Sequence, residues 1–314
     1  MNKMKLSYIL IIILCYNIAN IKALSSFESY LQTKKYLYVW SYPNSENFIK
    51  FVLDHKFSRV YIYVGCIEWD YDNLSKGNFY NSGNSDAKEL IQTLISKNIE
   101  VEPVIYLNDS PNDFSNVEKM ESVAKAMGEL QKTLKFKALH FDVEPSNTSN
   151  YQSLLKMYEN ARKYLPVSAI LKPGWLNKNM VDLKNKFDQE YFEKFKNCET
   201  FIDAIMTVSD FSDLMAYSNS YSTIERFLNK YDEIRKRHPE HEAKPVIELD
   251  PNIIEDGISQ EFKKDNGKFF DFLKKVSNQF DGITIHNYIA WNLDLYCFKP
   301  TKDSEYYFGE PKSC

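Results

Sequence analysis

"KALHFDVEPSN", residues 137–147, is the stretch of the sequence that decides the fold. Apolar and ionisable residues alternate along it until Pro145 ends the run, and this period of two predicts a β-strand with two different faces. The apolar face consists of Leu139, Phe141 and Val143. The polar face consists of His140, Asp142 and Glu144. Because burying ionised groups without partners is costly, the polar face is expected to border a site or an ion network.

Seven further stretches rich in β-branched and aromatic residues predict strands of the same kind. With the first stretch, the strand candidates are residues 36–42, 59–65, 100–107, 138–145, 167–174, 213–218, 244–250 and 282–288. Between them, apolar residues recur at three- and four-residue spacing, which indicates amphipathic helices. The helix candidates are residues 86–98, 116–134, 150–165, 220–238 and 267–280. This alternation is typical of parallel β/α units.

Eight such units in one chain predict a single (β/α)8 TIM barrel, an α/β fold that typically needs about 250 residues. No linker, internal repeat or charge block divides the chain, so residues 24–314 are interpreted as one domain. An open doubly wound sheet would usually carry a glycine-rich phosphate loop after its first strand. The corresponding stretch here, "YVWSYPNSE", contains no glycine.

Residues 1–23 have the layout of a secretory signal peptide. Two lysines precede an apolar run from Leu6 to Cys15, and Ala23 offers a small residue for cleavage. The run is too short for a membrane-spanning helix. The mature chain is therefore expected to begin near Leu24, and the protein to be secreted or to reside in the lumen of the secretory pathway.

Charge limits the partners of the mature chain. Removing residues 1–23 changes the net charge from −4 to about −7, because three lysines are lost with them. A mildly acidic chain lacks the basic surface that nucleic acid or an anionic membrane requires. Neither is expected as a partner after cleavage, and the sequence predicts no particular oligomeric state.

Cysteines and glycosylation sequons fit a secreted protein. The mature chain has four cysteines: Cys66, Cys198, Cys297 and Cys314. Three pairings into disulfides are open, and a bond between the last two would tie down the C-terminal tail. No pair has the C-x-x-C spacing of a zinc or redox motif. Sequons for N-glycosylation occur at Asn73, Asn108 and Asn147.

The polar face of residues 137–147 has a predicted direction in a barrel. Alternate residues of a barrel strand face the helices and the interior, and the apolar face suits the helices. His140, Asp142 and Glu144 are therefore predicted to face inward, with Glu144 at the C-terminal mouth, where barrel enzymes build their sites. A purely structural alternative is an interior ion-pair or hydrogen-bond network that includes Lys172.

Other predicted strand ends add polar and aromatic side chains to the same mouth. The polar or ring-bearing residues at these ends are Tyr217, Glu248, Asp250, His286 and Tyr288. Aromatic residues near the ends are Trp40, Tyr42, Tyr63, Tyr106, Trp175, Tyr217 and Trp291. Sugar rings stack on aromatic faces and sugar hydroxyls bond to carboxylates, so this combination predicts a saccharide cleft with carbohydrate as the partner. The plain alternative is a chain rich in tyrosine, with 22 in all.

At these residues the chain resembles the glycoside hydrolase family 18 superfamily, which includes chitinases and endo-N-acetylglucosaminidases. The family's fourth-strand motif, D-G-x-D-x-D-x-E, corresponds to residues 137–144, which keep the final D-x-E but have Lys137 and His140 at the first two acidic positions. The sixth-strand pattern M-x-Y-D corresponds to Met215–Ser218, with serine in the last position. Trp291 corresponds to the family's closing tryptophan if a short offset is allowed.

The resemblance implies a glycosidase that cleaves an N-acetylhexosamine-containing glycan with the help of the substrate's own acetamido group. Glu144 would be the general acid, Asp142 would orient the 2-acetamido group, and Tyr217 would hydrogen-bond its oxygen. Neither a cofactor nor a metal is implied. The predicted substrate-binding residues are His140, Trp40, Tyr106, Trp175, Met215, Glu248, His286, Tyr288 and Trp291.

Three alternatives are open. Glu144 followed by proline, with Glu248 ending the seventh strand, would suit a two-carboxylate retaining glycosidase, although Val143 stands where such enzymes usually have asparagine. A metal-dependent hydrolase would use His140, Asp142, Glu144 and His286, but the first strand lacks the H-x-H pair of such barrels. A non-catalytic, chitinase-like carbohydrate-binding protein would account for the missing acids.

Overall fold

The computed structural model describes residues 32–40, 45–79, 87–107, 117–218, 220–248 and 266–286. Within these ranges, eight parallel strands pair with their neighbours in sequence order. The last strand pairs with the first, which closes the sheet into a barrel. The predicted (β/α)8 barrel is therefore confirmed. The predicted signal peptide lies outside the described residues.

All eight predicted strands are present. They are β1 (Lys35–Val39), β2 (Arg59–Cys66), β3 (Glu100–Leu107), β4 (Leu139–Val143), β5 (Val167–Leu171), β6 (Phe211–Met215), β7 (Glu242–Glu248) and β8 (Ile283–His286). Four of them end earlier than predicted: β1 at Val39 rather than at 42, β4 at Val143 rather than at 145, β5 at Leu171 rather than at 174 and β6 at Met215 rather than at 218. Pro145 and Pro173 follow the ends of β4 and β5 and cannot donate to a ladder. Glu144 and Lys172, which precede these prolines, therefore lie just beyond the C-terminal ends of β4 and β5.

The helices of the described part surround the barrel. Ten α-helices are formed there: α1 (Ser45–Asp54), α2 (Ile67–Leu74), α3 (Ala87–Ser96), α4 (Val117–Leu134), α5 (Tyr151–Ala161), α6 (Met180–Leu183), α7 (Gln189–Glu193), α8 (Phe201–Val208), α9 (Tyr221–Arg235) and α10 (Asn266–Phe280). The five predicted helices correspond to α3, α4, α5, α9 and α10. The short helices α6 and α7 were not predicted, because four or five residues are too few to show a helical period.

The two faces of the strands form two separate apolar cores. The outward face of β4, formed by Leu139, Phe141 and Val143, is fully buried in the core beneath the helices. The inward residues of the strands form a smaller core inside the barrel: Tyr36, Tyr38, Tyr61, Val104, Ile170, Met215 and Val246. The ring of His140 lies 5.1 Å from the ring of Tyr61, between their centroids. The predicted inward direction of the polar face of β4 is thus confirmed.

A bulge near the end of β2 shapes the barrel mouth. The register between β2 and β3 shifts between Tyr63 and Gly65. Gly65 has a φ of +152°, and a Cβ there would come within 3.1 Å of the Leu74 side chain. The Cys66 amide donates to the Asp70 carboxylate at 2.8 Å, so α2 begins directly after the strand. Bulges redirect side chains near sites, and this one places α2 at the mouth.

The structure describes two of the four cysteines of the mature chain and the sequon residue Asn147. Cys66 and Cys198 are free thiols, so a disulfide between these two is wrong. Cys297 and Cys314 lie outside the described residues, and their pairing stays a prediction. Asn147, one of the three sequon residues, is exposed three residues beyond Glu144. Within the described ranges, none of the helices combines the length and apolar character that crossing a membrane requires.

Candidate active site

Two carboxyl groups meet at the C-terminal mouth of the barrel. Asp142 lies on the inner face of β4 and is 6% exposed, and the side chain of Glu144 is 31% exposed. The two carboxyl groups lie close enough for each to affect the protonation of the other. Burial, and next the neighbouring Glu144 carboxyl, raise the pKa of Asp142 well above its usual range. The pair therefore retains a proton at a higher pH than an isolated aspartate would.

Lys172, which follows β5, is the cation beside this carboxyl pair. Its Nζ lies 3.6 Å from Oε2 of Glu144 and donates to the Glu144 backbone carbonyl at 3.3 Å. Its charge opposes the rise in the pKa of Asp142. The ion pair that the sequence suggested between Lys172 and the polar face of β4 is present. Because both side chains are partly exposed, the pair contributes only about 0–1 kcal/mol to stability.

Aromatic rings line one side of the mouth. The ring of Trp40 lies 5.3 Å from that of Tyr63 and 6.3 Å from that of Tyr106, between centroids. Tyr106 pairs with Asp142 across β3 and β4. Burial, followed by the charges of Asp142 and Glu144, raises the pKa of Tyr106. The phenol therefore stays protonated and offers a hydrogen-bond donor beside the carboxyl pair.

His286, the last residue of β8, connects this aromatic side to β6. Trp40 Nε1 donates to His286 Nε2, and the ring of Tyr217 lies 5.7 Å from the imidazole, between centroids. Tyr217 packs against the barrel core that contains Met215, which is 8% exposed. The predicted residues that the structure brings to this end of the barrel are Trp40, Tyr106, Asp142, Glu144, Met215, Tyr217 and His286.

Two predicted substrate-binding residues lie away from the cleft. His140 has no exposed surface, and its Nδ1 shares a hydrogen bond of 2.8 Å with the Ser168 hydroxyl inside the barrel. Trp175 is 2% exposed and packs in the helix layer, 5.9 Å from the ring of Tyr151 and 5.4 Å from that of Phe201. The structure therefore corrects both predictions of substrate contact, since neither side chain reaches the mouth.

The remaining predicted residues are described only in part. Glu248 ends β7, where its backbone pairs with His286. Its side chain, together with Tyr288 and Trp291, lies outside the described part of the chain. No group of three or more His, Cys, Asp or Glu side chains is placed to hold a metal ion within the described ranges.

The sequence interpretation missed two sets of residues. Trp69 is 74% exposed on α2, which was not predicted, although this helix begins directly after a strand. Buried polar residues inside the barrel were also not singled out: Tyr38, Glu102, Ser168 and Asp213. The signal for Glu102 and Asp213 was present, because each occupies an inward position of its strand, as His140 does.

Comparison with solved structures identifies the fold. A chitinase from Bacteroides thetaiotaomicron matches with a TM-score of 0.52 and 11% identity, over 81% of this chain and 89% of that chain. The spore cortex-lytic enzyme SleL of Bacillus megaterium QM B1551 matches with a TM-score of 0.51 and 12% identity, over 81% and 70% of the chains. This chain has the barrel fold of those enzymes. A chitinase from Rhizomucor miehei gives a TM-score of 0.50 and 13% identity, over 82% and 94%.

The resemblance to family 18 enzymes that the sequence suggested is thereby confirmed at the level of the fold. No family model matches the chain, and no curated protein matches it either. At 11–13% identity, function rests on the site rather than on the likeness.

Proposed function

We propose that the protein is a glycoside hydrolase that cleaves an N-acetylhexosamine-containing saccharide. The observation that carries this proposal is the pair of neighbouring carboxyl groups, Asp142 and Glu144, inside an aromatic-lined barrel mouth. Glycosidic cleavage needs an acid to protonate the leaving oxygen and a second group to stabilise the cationic sugar. One carboxylic acid next to one carboxylate supplies both functions. The fold shared with chitinases supports the same class of reaction.

In the proposed reaction, Glu144 donates its proton to the leaving glycosidic oxygen. The carbonyl oxygen of the substrate's 2-acetamido group attacks the anomeric carbon as the bond to the leaving sugar breaks, which forms a cyclic oxazolinium ion. Asp142, ionised once the proton rests on Glu144, stabilises the cation by accepting from the acetamido N–H. The Glu144 carboxylate then takes a proton from the water that opens the oxazolinium. Two displacements at one carbon give overall retention.

The rim residues bind the saccharide in this scheme. The Tyr217 hydroxyl donates to the acetamido oxygen and so holds it at the anomeric carbon. Trp40 and Tyr106 offer ring faces on which the C–H faces of sugar units stack. The exposed indole of Trp69 on α2 is available to a longer chain.

Substitution of the acid tests the proposal. We expect Glu144→Gln to lower turnover of N-acetylglucosamine oligomers by about 10²–10⁴-fold, because general acid catalysis contributes that much. Saccharide binding, measured by calorimetry, should persist. Glu129→Gln is the matched control, since that side chain is 68% exposed and pairs with Lys132 on an outer helix. Equal turnover in the Glu144→Gln and Glu129→Gln proteins would exclude Glu144 as the acid.

The choice of substrates tests the role of the acetamido group. Oligomers of N-acetylglucosamine should be cleaved, whereas the same oligomers without acetyl groups and plain β-glucans should not. Glu248→Gln should leave turnover within a few-fold of the unsubstituted protein. Cleavage of plain β-glucans together with its loss in Glu248→Gln would instead establish the two-carboxylate mechanism, in which the two carboxyls lie about 5–5.5 Å apart.

A second candidate function is saccharide binding without catalysis. The contact between Lys172 and Glu144 favours it, because the ammonium occupies one side of the proposed acid. Saccharide binding to the unsubstituted protein without turnover of any oligomer would establish this function. Glu144→Gln would then have no turnover to lose.

We also propose that the chain is secreted after cleavage behind Ala23. The support is the layout of residues 1–23 alone. N-terminal sequencing of protein collected from the medium of a eukaryotic secretory host should begin near Leu24. A chain that stays in the cytosol with residues 1–23 intact would contradict secretion without affecting the proposed chemistry.

A further inference from the structure

A sealed polar cluster lies inside the barrel beneath the carboxyl pair. We call it the interior polar cluster, and it consists of Tyr38, Glu102, His140, Ser168 and Asp213. None of these side chains belongs to the proposed reaction, and all are at most 3% exposed. Polar groups in such a place are costly unless they are bonded to one another.

His140 is the centre of this cluster. Its Nε2 shares a hydrogen bond with the Tyr38 hydroxyl, and its Nδ1 shares one of 2.8 Å with the Ser168 hydroxyl. The same Nδ1 lies 3.6 Å from Oε2 of Glu102 and 3.8 Å from Oδ2 of Asp213. The imidazole therefore has a phenol on one nitrogen and two carboxyl groups near the other.

The charges of the cluster are only partly compensated. Arg59 in the layer below lies 3.0 Å from Oε1 of Glu102 and so balances that carboxylate. Asp213 accepts from the Thr284 hydroxyl at 3.3 Å and has no Lys or Arg partner among the described residues. Burial raises the pKa of Asp213 to about 6, with the Glu102 charge adding to the rise and His140 and Arg59 opposing it. The cluster consequently gains or loses a proton close to neutral pH.

Tyr38 connects the cluster to the mouth. Its ring lies 5.4 Å from that of His140 and 5.6 Å from that of His286 at the rim, between centroids. Burial raises the pKa of Tyr38, and the nearby charges that add most are those of Asp142 and Asp213. The hydroxyl thus lies within the electrostatic reach of both the cluster and the carboxyl pair.

We propose that His140, two residues before Asp142 on the inner face of β4, is a positioning residue that holds the Tyr38 hydroxyl inside the barrel and transmits the charge of Asp213 to the carboxyl pair. The kinetic test of this proposal rests on the proposed function, whereas the titration of the Asp142 carboxyl by NMR does not. The inward groups around His140 on the other strands are Tyr38, Tyr61, Glu102, Ser168, Asp213, Val246 and Thr284, with Arg59 one layer below. Among them, burial raises the pKa of Asp213 to about 6.

The direction of the effect follows from the sign of the charge. As pH falls through about 6, the cluster gains a proton and becomes less negative. A less negative cluster favours the ionised form of Asp142 and lowers its pKa. Above that pH, the added negative charge keeps the proton on the carboxyl pair. His140 lies beside Asp213, bonds to the Tyr38 hydroxyl and is two residues before Asp142 on the inner face of β4.

Carboxyl titration by NMR tests the link without any substrate. In the intact protein with ¹³C-labelled aspartate, the Asp142 carboxyl signal should show a second inflection near pH 6, where Asp213 titrates. Asp213→Asn should abolish that inflection. Asp271→Asn, at an exposed aspartate of α10, should leave it unchanged. Absence of the inflection in the unsubstituted protein would overturn the proposal even if Asp213→Asn fails to fold.

Kinetics then separates positioning by His140 from a purely structural role. His140→Gln can still bond to Tyr38 and Ser168, but it lacks the imidazole that lies beside both Glu102 and Asp213. We expect kcat at the optimum to stay within a few-fold and the limb of the kcat/KM profile near pH 6 to be lost. A pH profile identical to that of the unsubstituted protein would contradict transmission by His140. If no saccharide is turned over, the proposed function fails. The NMR titration still tests whether the charge of Asp213 affects the protonation of Asp142.

Discussion

At the residue scale, the positive charge of Lys172 opposes the rise in the pKa of Asp142. We expect Lys172→Met to raise the pKa of Asp142 further, because the ammonium opposes the rise caused by burial. Since the proposed reaction needs Asp142 ionised, the acidic limb of kcat/KM should move to higher pH. A partly exposed ion pair worth ~1 kcal/mol corresponds to about 0.7 pH unit. Lys172→Arg keeps the positive charge, so the acidic limb of its kcat/KM profile should stay where it is in the unsubstituted protein. A shift of the limb to lower pH in Lys172→Met would contradict this account.

The same residues show how far the site was predictable. The period of two along residues 137–144 correctly indicated that Asp142 and Glu144 face inward and meet at the mouth. It also placed His140 inward, but alternate residues of a strand lie roughly 6.6–7 Å apart along it. One step down the strand is therefore enough to move an inward side chain from an accessible mouth to a sealed interior. Depth in the barrel is set by strand register, which a single strand's sequence does not contain.

At the scale of elements, one carboxylate joins two helices. Asp203 on α8 accepts from the Thr200 amide at 2.8 Å, and the Thr200 hydroxyl accepts from the Asp203 amide at 3.2 Å, which forms a capping box. Arg237 and His238, just beyond α9, contact the same carboxylate at 2.7 and 2.9 Å. The carboxylate is 3% exposed, so the end of α9 is fixed to the start of α8.

We expect Asp203→Asn to cost about 2–4 kcal/mol of unfolding free energy at pH 7, through loss of a cap and of a buried charge pair. Burial alone would raise the pKa of Asp203, but hydrogen bonds from His238, Arg237 and Thr200 hold it far below the usual range. Because the pKa of Asp203 is lower in the folded protein than the unfolded value of about 3.9, the ionised carboxylate stabilises the fold above that pH. This stabilisation is lost as the pH falls below it. Urea unfolding should show the gap between the two proteins closing below about pH 4, whereas Asp271→Asn should show no gap at any pH.

Elements differed in how well their sequences predicted them. Long amphipathic helices such as α4 and α9 were identified because fifteen or more residues display several turns of the 3.6 period. α2 was missed because its buried positions, Ile67, Asp70 and Leu74, include an aspartate that bonds the Cys66 amide. An acid used as a structural acceptor interrupts the apolar pattern on which sequence analysis relies.

At the scale of the whole molecule, the N-terminal end of the barrel is closed by Arg59. Its guanidinium lies 2.7 Å from Glu100 on β3 and 2.7 Å from Glu242 on β7, and 4.6 Å above the centroid of the Tyr36 ring. Strand-helix alternation predicted the barrel but not this closure. Arg59 and Glu242 are separated by 183 residues, so only the closed barrel brings them together.

Removing this cation should destabilise the whole barrel. Arg59→Met leaves the Glu102 carboxylate, which has no exposed surface, without a cation and should cost about 3–5 kcal/mol in urea unfolding. Arg59→Met combined with Glu102→Met should cost less than Arg59→Met alone, because replacing a buried ion pair by apolar groups removes the stranded charge. A double variant less stable than the single one would show that packing around Arg59, rather than its charge, closes the barrel.

Acid unfolding gives an independent measure of the same closure. Burial would raise the pKa of Glu242, but Arg59 and Lys137 hold it at about 2. Because the folded pKa is lower than the unfolded value of about 4.3, Glu242 stabilises the barrel above that value and loses its contribution between about pH 4 and 2. Without Arg59, the pKa of Glu242 rises towards its unfolded value, so Arg59→Met should lose less stability over that interval. If the free energy of unfolding fell equally steeply between about pH 4 and 2 in both proteins, other carboxylates would cause acid unfolding. Asp203 would then be the first of these to substitute.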